Sequence, residues 1–279
     1  MAARRLYEVE SSTATNPGET HCTSELIFTN PELQTGVKTA FAHLERRAGY
    51  IGVKNLPSPE AFVNAGFDVT RYQAEYEQMK AEGEKPQVNL VMHLPLAPQR
   101  TGYKLNYRTM LAEMTADRTI PNNPLQLFAD NNKGEGPGLW VNSNIYNETN
   151  SQLYQQEIDL IKSEAAQGNC HYAEIDGIIY TLGLISGTDE PQKLNTTYTA
   201  NQDSHSTISD LLTLGIDHIL EGKTPVDEDT YTWAYGTYGN EGSHAANVDW
   251  YSGDGRFDVG GRDASASYGR LGSRRRVWG

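Results

Sequence analysis

Three residue types of a hydrolytic triad lie side by side in this sequence, and a further histidine lies far upstream. Asp203, Ser204 and His205 are consecutive, and His93 lies in an apolar, strand-like run. Such residue types form catalytic triads, but triad members normally converge from separate elements rather than from adjacent positions. Ser204 or Ser206 is better suited to cap the helix that follows. A hydrolase with a site near His93, Asp203 and His205 is therefore an alternative hypothesis and not the favoured one.

Metal-binding residues are present, but their spacing does not favour a metal site. The only two cysteines are Cys22 and Cys170, and each is next to a histidine. Zinc ligands usually occur in pairs separated by about two residues, and neither Cys-His pair shows this spacing. The segment 252–255 is similar to part of a calcium loop. Alignment on Gly255, however, puts Trp250 at the first ligand position and Gly261 at the twelfth. The sequence therefore predicts no metal, no cofactor and no catalytic residue.

Charge and hydropathy limit the possible partners. The formal net charge is -13, and an acidic chain repels a polyphosphate, so we do not expect nucleic acid as a partner. No apolar run reaches the roughly 20 residues of a membrane-spanning helix, and the first residues contain no apolar core of a signal peptide. We expect no membrane insertion. The consecutive arginines 274–276 are expected to pair with nearby acidic side chains rather than with an anionic ligand.

The elements that position these residues follow from apolar periodicity. Residues 33–44 have apolar side chains at helical spacing, preceded by Asn30 as a capping residue and Pro31 at the first helical position. The same reasoning predicts helices over 31–44, 57–65, 69–83, 106–116, 153–166 and 207–220, and strands over 26–28, 88–94, 139–141, 172–175 and 177–182. Because helices and strands mix without regular alternation, the expected fold class is α+β.

The composition changes after about Pro225. Residues 230–279 contain three of the four tryptophans and five tyrosines. From Gly242 to Gly279 there is no Lys, Glu, Gln or Met, although the preceding chain uses all four. Replacement of adenines at the first two positions of an Asn codon yields many residue types, but none of these four. The absence is therefore expected if scattered positions of this segment began as Asn codons and were then diversified.

Restoring Asn at such positions in residues 249–274 gives a phrase that resembles the variable region of diversity-generating retroelement target proteins. Templates of that family have the form N-W-N…R-F-N-V-N-x-N-D-x-S-N-S-N-G-N-L-G-S-R. The resemblance implies a constant scaffold formed by Trp250, Arg256, Phe257, Val259, Leu271, Gly272 and Arg274. It implies a variable, ligand-binding set formed by Tyr235, Tyr238, His244, Asp249, Tyr251, Asp258, Gly260, Arg262, Ala266, Tyr268 and Arg270.

The same resemblance implies a fold and a function. Proteins of that family resemble one another in a C-type lectin-like fold, often of the formylglycine-generating-enzyme-like subtype, here with added helices and long loops. The implied organisation is one domain over 1–279 with an irregular N-terminal lead-in, and a variable region over 234–276 within it. The implied function is non-catalytic binding of a protein or glycan ligand on another cell or particle, at the surface of a cell or virion.

The C-terminal residues depart from the family's pattern. The chain ends in three arginines followed by Val277, Trp278 and Gly279, where the family's usual pattern is an apolar closing strand. A structural virion or appendage protein with an incidental Tyr-rich tail is the third hypothesis.

A display surface makes a definite structural prediction, because its variable side chains must be exposed on one contiguous face. That prediction concerns Asp249, Tyr251, Asp258, Arg262, Tyr268 and Arg270.

Overall fold

Helices and strands mix along the part of the chain that the structure describes. The computed structural model describes residues 26–96, 105–126, 138–142, 145, 150–200 and 206–279. Its α-helices are α1 (Pro31–Tyr50), α2 (Pro59–Asn64), α3 (Val69–Ala81), α4 (Tyr107–Ala116), α5 (Asn150–Ala166) and α6 (Ile208–Leu220). Its strands are β1 (Pro86–Met92), β2 (Leu139–Val141), β3 (Tyr172–Ile175), β4 (Ile178–Ser186), β5 (Tyr231–Tyr238), β6 (His244–Tyr251), β7 (Arg256–Asp263), β8 (Leu271–Gly272) and β9 (Arg276–Trp278). The predicted α+β class is confirmed.

Side-chain caps determine where the helices begin. The Asn30 side chain accepts hydrogen bonds from two amides in the first turn of α1, as predicted. Helix α6 begins with a capping box, in which Thr207 and Asp210 each bind the other's backbone amide. The cap is therefore Thr207 and neither Ser204 nor Ser206, the two predicted residues. The Ser206 hydroxyl instead donates to the carbonyl oxygen of Arg274 at 3.2 Å.

The first sheet is built around the long strand β4. Strand β1 pairs antiparallel with β4 along one edge. On the other edge β3 pairs with the beginning of β4, and β9 pairs with its end. The predicted turn Asp176-Gly177 joins β3 to β4, and both residues adopt the positive φ that a two-residue hairpin turn requires. The last arginine of the run, Arg276, and the two residues after it thus form a strand of the first sheet.

The second sheet has the strand order β2-β7-β6-β5-β8. Strands β6 and β7 form an antiparallel hairpin. Strand β2 runs parallel to β7, and β5 runs antiparallel to β6. Four of these five strands lie after residue 230, in the segment where the sequence showed little helical periodicity.

Helix α6 lies between the two sheets. It contacts β1 of the first sheet and both β5 and β6 of the second. All 13 of its residues are buried, as is typical of a helix in the middle of a core. Gly215 permits the close approach, because a Cβ at this position would lie 2.4 Å from the ring of Phe257 in β7.

The predicted strand over 26–28 is wrong. These residues form neither helix nor strand, although Leu26 and Phe28 are buried in the core. The Gln34 side chain satisfies their backbone instead, since its Oε1 accepts from the Phe28 amide at 2.8 Å and its Nε2 donates to the Leu26 carbonyl at 3.4 Å. Leu26 and Phe28 can therefore be buried without pairing to a neighbouring strand, because the Gln34 side chain supplies their backbone hydrogen bonds.

Candidate ligand-binding surface

The side chains of β6 and β7 alternate between two faces of the second sheet. Residues directly opposite each other on antiparallel strands point to the same face. The register of this hairpin brings four residues of each strand together in this way. We term the face that they share the outer face, and its opposite pairs are Ala245 and Arg262, Asn247 and Gly260, Asp249 and Asp258, and Tyr251 and Arg256.

The residues between them form the inner face and pack into the core. Trp250 and Phe257 are opposite each other, with ring centroids 4.9 Å apart in an edge-to-face arrangement. Both are almost completely buried, as is Val259. Leu271, Gly272 and Arg274 are buried as well. The residues of the implied constant scaffold are thus buried except Arg256, which lies half-buried on the outer face.

Arg274 anchors the C-terminal segment through a buried ion pair. Its Nε and Nη2 donate to the two carboxylate oxygens of Asp227 at 3.2 and 2.7 Å. Its Nη1 donates to the carbonyl oxygen of Ser186 at 2.9 Å. Arg275 and Arg276 pair with acidic side chains in or next to α3 and α6. The prediction that these three arginines pair with acids is confirmed.

Other parts of the chain cover one side of the outer face. Trp233 of β5 lies opposite Asn247 and is fully buried. It packs in a small cluster with Ala245 and Leu271, and its indole N–H donates to the carbonyl oxygen of Thr196 at 3.0 Å. The open part of the outer face is therefore the part toward the β6–β7 turn and along β7.

An arginine and two tyrosines border this open part. The guanidinium carbon of Arg262 lies 5.3 Å from the ring centroids of both Tyr231 and Tyr268. Arg262 and Tyr268 are exposed. Cation–π contacts at exposed sites contribute about 0.5–1 kcal/mol each, so the two rings hold the guanidinium in a defined position. Arg and Tyr are also residue types that often dominate binding energies at interfaces.

A second arginine lies at the hairpin turn. The guanidinium of Arg256 lies 5.2 Å from the ring centroid of Tyr251. Its Nε donates to Oδ1 of Asp258 at 2.6 Å, and its Nη1 pairs with Asp254. Tyr251 is 48% exposed. Arg256 thereby fixes an exposed aromatic ring and a carboxylate next to each other on the outer face.

The centre of the outer face contains buried acceptor groups. Asp249 lies directly opposite Asp258 and is only 8% exposed. Burial, together with the negative charges of Asp258 and Asp227, raises the pKa of Asp249 to about 8. Asn247 is 1% exposed, and its Oδ1 accepts no hydrogen bond from the residues that the structure describes. A buried acceptor without a donor costs about 1–3 kcal/mol, so this centre is locally destabilising.

The predicted variable residues divide into exposed and buried ones. The exposed residues are His244, Tyr251, Arg262, Tyr268 and Arg270, and the partly exposed ones are Tyr235, Asp258, Gly260 and Ala266. Tyr238 and Asp249 are buried. The expectation that Asp249 is exposed is therefore wrong, although it does lie on the outer face.

Three of the predicted variable residues lie away from the outer face. Tyr238 and His244 are opposite each other and, by the alternation of β6, belong to the inner face. The Tyr238 hydroxyl lies 1.4 Å from where a Cβ of Gly261 would be, so the glycine makes room for it. The charges that act on the Tyr235 hydroxyl belong to Arg276 and to α5. Tyr235, Tyr238 and His244 thus lie apart from the outer face, and their proposed role in ligand binding stays a prediction.

Two residues of this region were not among the predicted ones. Asn247 precedes Asp249 by two positions, so the period of a strand was a signal that could have found it. Trp140 of β2 lies opposite Asp258 and is half-buried, while both its neighbours in β2 are buried. Its position depends on the pairing of β2 with β7, which no local pattern predicts. The same is true of the contact between Tyr231 and Arg262.

Of the residues of the alternative hydrolytic site, the structure describes His93. His93 is fully buried, with Nδ1 2.5 Å from Oε1 of Glu157 and Nε2 2.8 Å from Oγ1 of Thr181. Both ring nitrogens are thus used in hydrogen bonds inside the core. Asp203 and His205, with the intervening Ser204, lie outside the described residues.

Of the residues considered for metal binding, the structure describes Cys170, His171 and the calcium-like segment 252–255. Cys170 is a buried thiol, and burial raises its pKa to about 12. Cys22 lies outside the described residues. Asp254 of the calcium-like segment pairs with Arg256. Across the described ranges, no group of three or more His, Cys, Asp or Glu residues could hold a metal ion. No helix within these ranges is long and apolar enough to cross a membrane.

Comparisons with known proteins do not assign this chain to a family. No protein-family model, no curated protein and no solved structure matches it. A function for the outer face thus depends on its own residues and on the resemblance of its sequence to a variable region.

Proposed function

We propose that this chain is a non-catalytic binding protein whose outer face contacts a protein or glycan ligand on another cell or particle. The observation that carries the proposal is the two-residue alternation of β6 and β7. Most positions that resemble diversified codons in this hairpin share the outer face, whereas the aromatic residues that resemble constant codons share the inner face. Binding and folding thus depend on different side chains of the same two strands.

This separation is what a surface that varies requires. Substitutions at exposed positions usually change the free energy of unfolding by no more than about 0.5 kcal/mol. Loss of a buried aromatic side chain costs about 3–5 kcal/mol. Diversification confined to positions such as Tyr251, Arg262 and Tyr268 therefore leaves the fold intact, while Trp250 and Phe257 maintain it.

The chemistry of the exposed residues also supports binding. Tyrosine presents a large, rigid and amphipathic surface that loses little conformational entropy on binding. Arg256 and Arg262 hold their neighbouring tyrosine rings in defined positions. A preorganised surface loses less free energy to the ordering of side chains when a ligand binds.

On the same resemblance we propose that the fold is C-type lectin-like, with added helices and long loops. Strand β9 supports this proposal, since Val277 and Trp278 pair with β4 and form a closing strand after the arginine run. The arginines do not prevent this strand from forming, because each has an acidic partner.

The neighbouring DNA tests the retroelement origin of the surface. We expect a near-copy of the 3′ end of the gene, differing only at adenines, beside a gene for a reverse transcriptase. The codons of Tyr251, Arg262 and Tyr268 should differ between the copies, and those of Trp250 and Phe257 should be identical. A genomic neighbourhood without such a copy would contradict this origin.

Binding to intact cells and particles tests the function itself. The tagged protein should be retained by at least one member of a panel of cells and viral particles. Replacement of Tyr251, Arg262 and Tyr268 by alanine should abolish retention. A matched variant with alanine at Glu77 and Gln78, which are exposed on α3, should be retained like the original protein. Equal retention of both variants would exclude the outer face as the binding surface.

A further inference from the structure

Arg262 is an exposed arginine that has no acidic partner among the described residues. Its guanidinium lies over the rings of Tyr231 and Tyr268, and no described residue accepts a hydrogen bond from its N–H groups. Other arginines of the described chain pair with carboxylates, namely Arg46, Arg47, Arg256, Arg274, Arg275 and Arg276. A guanidinium carries five N–H donors, so those of Arg262 are available to a ligand.

The two tyrosine rings belong to backbone segments that are bound to each other. Tyr231 begins β5, and Tyr268 lies shortly before β8. The Tyr231 amide donates to the carbonyl oxygen of Arg270 at 2.8 Å, and the Leu271 amide donates to that of Tyr268 at 2.9 Å. Because these hydrogen bonds fix the segments that carry the rings, the guanidinium over them loses little conformational freedom when it binds a ligand.

The carboxyl groups of the outer face are not paired with Arg262. Asp258 accepts from Nε of Arg256 at 2.6 Å. Asp249 is close enough for the charge of Arg262 to lower its pKa, but burial and the neighbouring carboxylates leave that pKa at about 8. Most Asp249 side chains are therefore protonated at pH 7. The positive charge of Arg262 can thus act on a ligand.

We propose that Arg262 binds a carboxylate of the ligand, the side chain of an aspartate or glutamate on the surface of another protein. The inference rests on the proposed function, because it names the chemistry of one part of the ligand for the outer face. Contact with the tyrosine rings uses the flat face of the guanidinium and leaves its N–H edge. Two N–H groups of that edge donate in parallel to the two oxygens of a carboxylate.

Charge and spacing restrict the kind of ligand. The net charge of -13 repels a ligand with many negative charges over long range, which favours a ligand with a single carboxylate near Arg262. A second arginine–tyrosine contact, that of Arg256 with Tyr251, lies at the other end of β7. At about 3.3 Å per residue, the two arginines are roughly 20 Å apart along this strand. A ligand that meets both contacts is longer than one or two sugar rings, which favours a protein.

The experiment uses the whole chain and two blocked tripeptides that differ only in a central glutamate or glutamine. The Nε–H resonances of the arginine side chains are followed by NMR during titration with each peptide. The glutamate peptide should shift the resonance of Arg262. It should bind about tenfold more tightly than the glutamine peptide, because hydrogen bonds between charged groups are stronger than those to a neutral amide. Equal affinities, or no binding of either peptide, would overturn the proposal.

Matched variants locate the contact. Arg262→Lys keeps the positive charge but removes the planar pair of donors, so it should bind the glutamate peptide about tenfold more weakly. Arg118→Lys, the same change at an exposed residue after α4, should bind like the original chain. Full affinity of Arg262→Lys, or equal losses in both variants, would contradict the proposal. Methyl glucuronide that binds more tightly than the glutamate peptide would show a subsite for an acidic glycan instead.

The result can be separated from that of the proposed function. If the outer-face alanine variant loses binding to cells but the two peptides bind equally, the binding surface stands and only the carboxylate contact is wrong. If binding of the glutamate peptide depends on Arg262 but that alanine variant is still retained by cells, the carboxylate contact stands and the proposed function fails.

Discussion

At Asp249, burial on the outer face opposes ionisation of the carboxyl group, so this residue makes stability depend on pH. Its carboxyl group is buried opposite a second aspartate. Its pKa is therefore about 8 in the folded chain, against an ordinary value of 3.8. Between these values the folded chain binds more protons than the unfolded chain. The contribution of this group to stability is complete below pH 4 and is lost as the pH rises toward 8.

Replacement of Asp249 by asparagine should remove this loss. At pH 8 we expect Asp249→Asn to be more stable than the original chain by roughly 1–3 kcal/mol. At pH 4 the two should be nearly equal. Urea unfolding at pH 4, 6 and 8 measures the difference.

Asp263 is a control of opposite sign. Hydrogen bonds from Ser265 lower the pKa of its exposed carboxyl group, so its contribution to stability is present above its unfolded pKa and lost in acid. Asp263→Asn should therefore be slightly less stable than the original chain at pH 8. A stability of Asp249→Asn that equals the original at every pH would contradict the assigned environment of Asp249.

At the scale of an element, the β6–β7 hairpin places its exposed side chains on the outer face and its packing side chains on the inner face. Replacement of Tyr251, Arg262, Tyr268 and Arg270 together by alanine should have a small effect, each exposed site contributing within about 0.5 kcal/mol. Trp250→Ala should cost about 3–5 kcal/mol, because it removes a buried aromatic ring from the inner face. Denaturant midpoints compare the two variants. Equal midpoints would mean that the supposed display residues are ordinary parts of the core.

The segment that leads into strand β9 offers a second comparison between neighbouring residues. Arg274→Ala leaves the carboxylate of Asp227 buried without its partner, which should cost about 3–5 kcal/mol. Arg275 is partly exposed and pairs with Glu75 and Glu82, so Arg275→Ala should cost about 0.2–1 kcal/mol. Urea unfolding of both variants tests whether the C-terminal strand depends on the buried ion pair. Similar losses would contradict that dependence.

At the scale of the whole molecule, the two sheets are held together through α6. Gly215→Ala adds a Cβ only 2.4 Å from the Phe257 ring. Overpacking of this kind typically costs about 1–3 kcal/mol, and it should separate α6 from the second sheet. Thermal and urea unfolding, with the near-UV signal of the buried tryptophans, detect both effects.

A glycine in another helix is the control. A Cβ at Gly49 in α1 meets no atom within 4 Å. Because alanine favours a helix over glycine, Gly49→Ala should stabilise the chain by about 0.5–1 kcal/mol. If both substitutions shift stability in the same direction, the close packing of α6 against β7 is wrong.

Local patterns in the sequence determined the helices and the faces of the hairpin. Asn30 caps α1 because a capping hydrogen bond joins residues two or three positions apart. Trp250 and Phe257 are buried, and Tyr251 is exposed, because successive side chains of a strand point to opposite faces. Such features depend on short stretches of chain, so the sequence contains the information for them. The function proposed from the resemblance stays a prediction.

Tertiary structure decided the features that depend on pairing. The pairing of β5 with β6 is irregular between Trp233 and Thr237, and this irregularity cannot be read from periodicity. The shifted register sets Tyr238 directly opposite His244 on the inner face. Asp249 is on the predicted face but buried, because its neighbours come from other strands. Trp140 joins the outer face only because β2 pairs with a strand distant in sequence. Local patterns determine the direction in which a side chain points, and only the packed chain determines what covers it.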